Sequence, residues 1–248
     1  MVVRSPRSRK VASISAPLLV FAALVLSSCD AVSGVSSSDQ VPPPAIEVSG
    51  DPAAISGAAD DVADGAVAID SVVMVGDSIT RGATPDLDER YELLGLESLI
   101  EAQNGKRMAV SGPENPSGAS IVEFLAANGD GDHADEVWVI ALGTNDVGQY
   151  AGPDDMAAAV NEILRAIPDE AAVVWVDTYF RDRAEQAASL NSIIRDRVER
   201  RGDSVIAPWT AFAEDEGVLT ADGVHPTTDG ADVFAFVVTD TVRAFLDR

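Results

Sequence analysis

Ser71-Val72-Val73-Met74-Val75-Gly76-Asp77-Ser78-Ile79-Thr80 is a short, β-branched apolar run that stops on a glycine-acid-serine turn. A run of this length without polar interruption suits a strand buried on both faces, as in a parallel sheet covered by helices. Comparable runs recur at Arg107–Val110, Glu136–Leu142, Ala172–Val176 and, more weakly, Ser204–Ile206. Amphipathic segments lie between and after them, at Asp88–Ala102, Ala119–Ala127, Pro153–Ala166, Arg183–Arg200 and Thr227–Leu246. Proline in the first turn marks the start of the third of these helices. The alternation predicts an α/β domain, a three-layer α/β/α sandwich around a five-stranded parallel sheet with right-handed crossovers. Functional loops are then expected at the carboxyl ends of the strands.

Polar motifs stand at those ends. Ser78 follows the first strand, Asn145 of Gly143-Thr144-Asn145-Asp146 follows the third, and Asp222-Gly223-Val224-His225-Pro226 precedes the last helix. Taken singly, the first two segments read as ordinary turns or helix caps, and the third is more telling. Together they supply the parts of serine acyl-ester chemistry. A serine hydroxyl needs a neighbouring base, and the base needs a carboxylate that fixes its tautomer and steadies its positive charge. Ser78, His225 and Asp222 meet those needs, and the Asn145 side-chain amide suits the negative oxygen of a tetrahedral intermediate. The chain has only two histidines, and this one lies three residues after an acid. The motif is not the Gly-x-Ser-x-Gly elbow, because position 80 is Thr.

Other features read as structural. Asn128-Gly129-Asp130-Gly131-Asp132 begins like a calcium loop, but His133 and Val139 occupy the places where such a loop needs glycine and glutamate. His133 is therefore expected at the surface, without a partner. Trp138 and Trp175 fall in strands and are expected in the core, whereas Trp209 and Tyr179, near strand ends, suit either packing or the lining of an acyl or sugar pocket. No dinucleotide or phosphate loop is present.

The 248 residues divide in composition. Arg4, Arg7, Arg9 and Lys10 precede a mostly apolar Ala16–Leu26, and Leu26-Ser27-Ser28-Cys29 follows, the pattern of an export signal over residues 1–28. The apolar run is short for a permanent bilayer span. Cys29 is the only cysteine, and Leu26-Ser27-Ser28-Cys29 resembles the lipobox of bacterial lipoproteins, which implies a lipidated Cys29 and an outward-facing, membrane-anchored protein. Residues 29–69 are rich in Ser, Asp, Ala, Gly and Pro and read as a tether. Residues 70–248 then form the catalytic domain. Without residues 1–28 the chain carries 13 basic against 41 acidic residues, a net charge of −28, which excludes nucleic acid as a partner.

The blocks around Ser78, Asn145 and His225 resemble those of the SGNH hydrolase superfamily, the GDSL-type esterases, over about residues 70–248. The resemblance implies a flavodoxin-like fold, Ser78 as nucleophile, Asp222 and His225 as acid and base, and Asn145 with the Ser78 amide in the oxyanion hole. Ser117-Gly118-Ala119-Ser120 looks like the family's glycine block, which makes Gly118 the third oxyanion donor, with Gly112 as the second candidate. The expected activity is hydrolysis of small acyl or acetyl esters, on cell-wall glycans among others, and it requires no metal or cofactor. Two alternatives stand beside it: an O-acyltransferase to sugar hydroxyls, and a non-catalytic surface binding lipoprotein.

Overall fold

The computed structural model describes residues 69–129 and 133–248. The signal segment, Cys29 and the tether up to residue 68 lie outside the described residues. Five parallel strands, β1 (Ser71–Gly76), β2 (Glu97–Ala102), β3 (Glu136–Ala141), β4 (Ala172–Val176) and β5 (Ser204–Ala207), form one sheet in the order β2-β1-β3-β4-β5. The helices are α1 (Ser78–Leu93), α2 (Gly118–Asn128), α3 (Pro153–Ala166), α4 (Ala184–Arg201), the short α5 (Thr210–Ala213) and α6 (Thr228–Leu246). This strand order is the flavodoxin-like one, in which the direction of winding reverses between β1 and β3 and leaves a crevice at their carboxyl ends. Among the described residues no helix is long and apolar enough to cross a membrane.

Strand alternation divides the core into two layers. Val72 and Met74 of β1, Val137 and Val139 of β3 and Val174 of β4 pack on one face with Leu87 and Tyr91 of α1 and Phe234, Val238 and Val242 of α6. Val73, Val75, Trp138, Ile140 and Trp175 face the other way, against Val122 of α2, Val160 and Ile163 of α3 and Leu190, Ile194 and Val198 of α4. Each such side chain, once fully buried, contributes about 1.5–3 kcal/mol. Trp138 and Trp175 lie in the core, as their strand positions require.

The first crossover differs from the sequence reading. The helix expected over Asp88–Ala102 runs from Ser78 to Leu93, and the strand expected at Arg107–Val110 is Glu97–Ala102. Pro85 lies inside α1 on its exposed face, where the Arg81 carbonyl that loses its partner faces solvent. Gly95, at φ +75°, ends the helix, and Glu97–Ala102 pairs with β1 as an edge strand. Its exposed Glu97 and Glu101 give it an amphipathic pattern that imitates the end of a helix. Arg107 and Met108 leave the sheet altogether: their carbonyls accept the Gly118 and Ala119 amides at 2.8 and 2.9 Å, holding the start of α2.

Candidate active site

The turn Asp222–His225 is built by one carboxylate. Asp222 Oδ1 accepts the Thr220 hydroxyl at 2.8 Å and the backbone amides of Val224 and His225 at 2.9 and 3.0 Å. Its other oxygen, Oδ2, lies 2.7 Å from His225 Nδ1. An ionised carboxylate only accepts, so Nδ1 carries the proton and Nε2 presents a lone pair. Nε2 lies 3.0 Å from Ser78 Oγ, a contact across 147 residues of chain. The strap carrying the turn is fixed at both ends, by Thr220 N–H to the His225 carbonyl (2.8 Å) and by Thr227 N–H to the Val218 carbonyl (2.9 Å).

Ser78 opens α1, directly after the N-cap Asp77, whose Oδ1 accepts the Ile79 amide at 2.9 Å. Asp77 Oδ2 accepts from Asn145 Nδ2 at 3.1 Å, and the Lys106 carbonyl accepts from the same nitrogen at 3.1 Å. Asn145 itself stands on a 3-10 turn, Thr144–Asp146, entered through Gly143 at φ +137°. A Cβ at Gly143 would come within 2.5 Å of the Thr178 hydroxyl, so only glycine fits there. The next residue, buried Asp146, accepts from Arg107 Nε (3.2 Å), Met108 N–H (3.0 Å) and Tyr150 OH (2.8 Å). It thereby pins the segment whose Lys106 carbonyl holds Asn145. Lys106 is buried too, its ammonium donating to the Pro116 carbonyl at 2.9 Å and enclosed by the loop that contains Gly112.

The GDSL-like Lipase/Acylhydrolase family profile matches residues 74–233, which span all of these groups. The chain belongs to this family. No curated protein sequence matches it significantly. Similar solved structures include a GDSL-family lipolytic protein from Veillonella parvula (15% identity, 70% of this chain and 98% of that one, TM-score 0.58). They also include the peptidoglycan O-acetyltransferase A C-terminal catalytic domain of Streptococcus pneumoniae (19%, 73% and 97%, 0.57). A third is a carbohydrate acetylesterase family member from Sinorhizobium meliloti (18%, 73% and 100%, 0.56). The protein is thus an ester-hydrolysing GDSL acylhydrolase with the family's α/β fold.

In this GDSL acylhydrolase the carboxylates differ by environment. The hydrogen bond from His225, followed by the amides of His225 and Val224, holds Asp222 well below the usual carboxylate range, so it stays charged at any pH where the imidazole can act. Burial pushes Asp146 and Asp177 up, and it pushes Asp77 from 3.8 to about 6, against the hydrogen bond from the Ile79 amide, which lowers it. Because the folded value of Asp77 exceeds the unfolded one, its contribution to stability is fully present below pH 3.8 and is lost as pH rises through 6. The loss amounts to about 3 kcal/mol. Thermal unfolding from pH 3 to 8 should therefore fall more steeply in the wild type than in Asp77→Asn; parallel curves would show that this carboxyl titrates normally.

The two glycines expected as oxyanion donors are both engaged in this conformation. Gly118 donates to the Arg107 carbonyl at 2.8 Å, and a Cβ on it would lie 2.2 Å from Leu142 Cδ1, so glycine serves close packing of α2 there. Gly112, exposed at the rim, donates to the Asn115 carbonyl at 2.8 Å. The Ser78 amide, in the first turn of α1, has no intrahelical acceptor. Replacement of Asn145 by alanine is expected to lower kcat on an acetate ester by about 10²–10³. Full activity of that variant would remove Asn145 from the reaction.

Three further residues complete the account. His133 is buried, not at the surface: Nδ1 lies 2.8 Å from Glu136 Oε2, and the same oxygen accepts the Trp138 indole N–H at 3.0 Å. The signal missed in the sequence is the acid three residues on. This cluster sits at the amino end of β3, the edge of the sheet opposite the site. Trp209 is core, edge-on to Phe234 at 5.2 Å, whereas Tyr179 is half-buried beside a cleft. Among the described residues no group of three or more His, Cys, Asp or Glu side chains could hold a metal ion.

Proposed function

We propose that this acylhydrolase is an exported, lipid-anchored serine esterase that releases small acyl or acetyl groups from cell-wall glycans through an acyl-Ser78 intermediate. The Ser78, His225 and Asp222 relay, with contacts of 3.0 and 2.7 Å, carries the reading. His225 Nε2 takes the Ser78 proton as Oγ attacks the ester carbonyl, and the oxyanion is met by the Ser78 amide and by the Asn145 side chain, which must exchange one of its bonds to Asp77 and the Lys106 carbonyl to donate there. Collapse breaks the ester C–O bond, and the leaving alkoxide receives the proton from His225. Water, deprotonated by the same nitrogen, then attacks the acyl-enzyme and frees the carboxylate and Ser78. A glycine donor joins if its present hydrogen bond is exchanged. Gly112 has only a surface turn to release, whereas Gly118 would have to release the start of α2.

The His225 and Asp222 side chains are about half exposed, which supports water as the acyl acceptor over a sugar hydroxyl. The likeness to a carbohydrate acetylesterase supports a glycan ester as the substrate. Attachment through Cys29 and an outward-facing location rest on the sequence of residues 1–29. A p-nitrophenyl ester series from acetate to long acyl chains, run beside labelling with a serine-directed phosphonate, tests the activity. Fastest turnover of the short esters and an adduct on the Ser78 peptide are the expected results. An adduct elsewhere, or none, would refute the mechanism. Intact mass of the native N-terminus should show an acylated Cys29, and an unmodified one would refute the anchor.

A further inference from the structure

A cleft of about 360 Å³ opens between α4, α5 and the carboxyl end of β4, within the ~300–1,000 Å³ range of small-molecule sites. It exists because the first two turns of α4 line it with Ala184, Ala187 and Ala188, at helical spacings that put all three small side chains on one face, while Asn191 and Arg195 line it further along the same helix. Its remaining lining is polar and aromatic: Tyr179, Asn191, Arg195, Thr210 and Glu214, with Asp177 and Thr178 at its base. None of these residues belongs to the relay described above.

The floor of the cleft is rigid. Asn191 clamps the Thr178 backbone in both directions, accepting its N–H at 2.8 Å and donating to its carbonyl at 2.8 Å, while Asp177 Oδ1 accepts the Thr210 amide at 2.7 Å. At the mouth the chemistry is unspent: Glu214 and Arg195 are exposed, and neither makes an ion pair or side-chain hydrogen bond among the described residues. The cleft also adjoins the catalytic turn. Arg181, two residues after Tyr179, donates its amide to the Gly223 carbonyl at 3.0 Å, and its side chain lies where a Cβ on Gly223 would come within 2.6 Å.

A half-buried aromatic ring, a smooth wall of methyl groups and an open carboxylate-guanidinium pair match one class of ligand. A pyranose ring presents an apolar face to stack and a rim of hydroxyls that both donate to a carboxylate and accept from a guanidinium. A fatty acyl chain would leave Glu214 and Arg195 unused, and a polyanion would meet Glu214 and Asp177. We infer that the Tyr179, Arg195 and Glu214 cleft is the subsite for the alcohol side of the ester, a neutral sugar unit. This rests on the proposed glycan-esterase reading and gives the substrate's carbohydrate a place next to the turn that carries Asp222 and His225.

The test uses the full chain and three variants, Glu214→Gln, Arg195→Ala and Tyr179→Ala, the first two at exposed positions where folding is not at stake. Each is assayed on p-nitrophenyl acetate and on O-acetylated xylo- and chito-oligosaccharides. The expected result is a loss of about tenfold or more in kcat/KM on the oligosaccharides, mainly through KM, with p-nitrophenyl acetate turnover within about twofold of wild type. Unchanged oligosaccharide kinetics, or parallel losses on both substrates, overturn the assignment. A wild-type enzyme that hydrolyses p-nitrophenyl acetate but no acetylated oligosaccharide also overturns it and leaves the serine esterase standing. A protein inactive on p-nitrophenyl acetate removes the esterase reading, and titration of unacetylated oligosaccharides into it then decides the cleft alone: no binding at millimolar sugar overturns it.

Discussion

Ser78→Ala and His225→Ala are each expected to lower kcat on p-nitrophenyl acetate by about 10⁶, and the double variant no further. The reason is that the two side chains act as one unit. Without Nε2 the hydroxyl keeps its proton at neutral pH, and without the hydroxyl the imidazole has nothing to activate. A single 3.0 Å hydrogen bond joins the two side chains, and the site is open to solvent. Loss of either group should therefore move the midpoint of thermal unfolding little while removing turnover. Thermal melts would check the first point and stopped-flow kinetics the second: the wild type should show a burst of p-nitrophenol and the variants none. Additive losses in the double variant would mean that serine and histidine serve separate steps.

Asp222→Asn should cost about 10⁴ in kcat with the fold intact. The carboxylate has two duties divided between its oxygens. Oδ1 takes three donors and builds the turn, and Oδ2 faces His225 Nδ1. An asparagine keeps its carbonyl oxygen with the three donors and turns its NH₂ toward Nδ1. The imidazole must then accept at Nδ1 and carry its proton on Nε2, which faces Ser78 as a donor and cannot serve as the base. Asp222→Ala should be worse in a different way, because the turn loses its organising acceptor as well. The same observation predicts that the acid limb of the wild-type pH–rate profile does not report Asp222, whose carboxyl is held well below the usual carboxylate range. Solution NMR of the ring nitrogens in wild type and Asp222→Asn would show the tautomer exchange directly. An unchanged tautomer with full activity would contradict the assignment.

Several features of the molecule were legible in the chain because they depend on neighbours in sequence. The strands β1, β3 and β4 are buried along their whole length, and a sheet covered by helices on both sides buries such runs. Asp222 and His225 are three residues apart, so a single turn delivers both. The same locality explains the errors. An edge strand needs apolar side chains on one face only, so Glu97–Ala102 carried a weaker signal than Arg107–Val110, which is apolar enough for a strand but spends its carbonyls on α2. His133 reads as solitary although Glu136 stands three residues on, because nothing in the sequence shows that the two are buried together.

By itself the sequence determined the layers, the order of elements and the identity of the groups that meet at Ser78, since periodicity and motif are properties of short segments. What folding alone decided are contacts whose partners lie far apart in the chain. The Ser78–His225 approach spans 147 residues, and the bond from Asn145 to buried Asp77 spans 68. Commitment of the Gly118 amide to Arg107 and the opening of the Tyr179 cleft against three alanines of α4 belong with them. Each depends on where a crossover returns the chain to the sheet. A hydrogen-bond donor or an alanine carries no mark in the sequence of which distant group it will face.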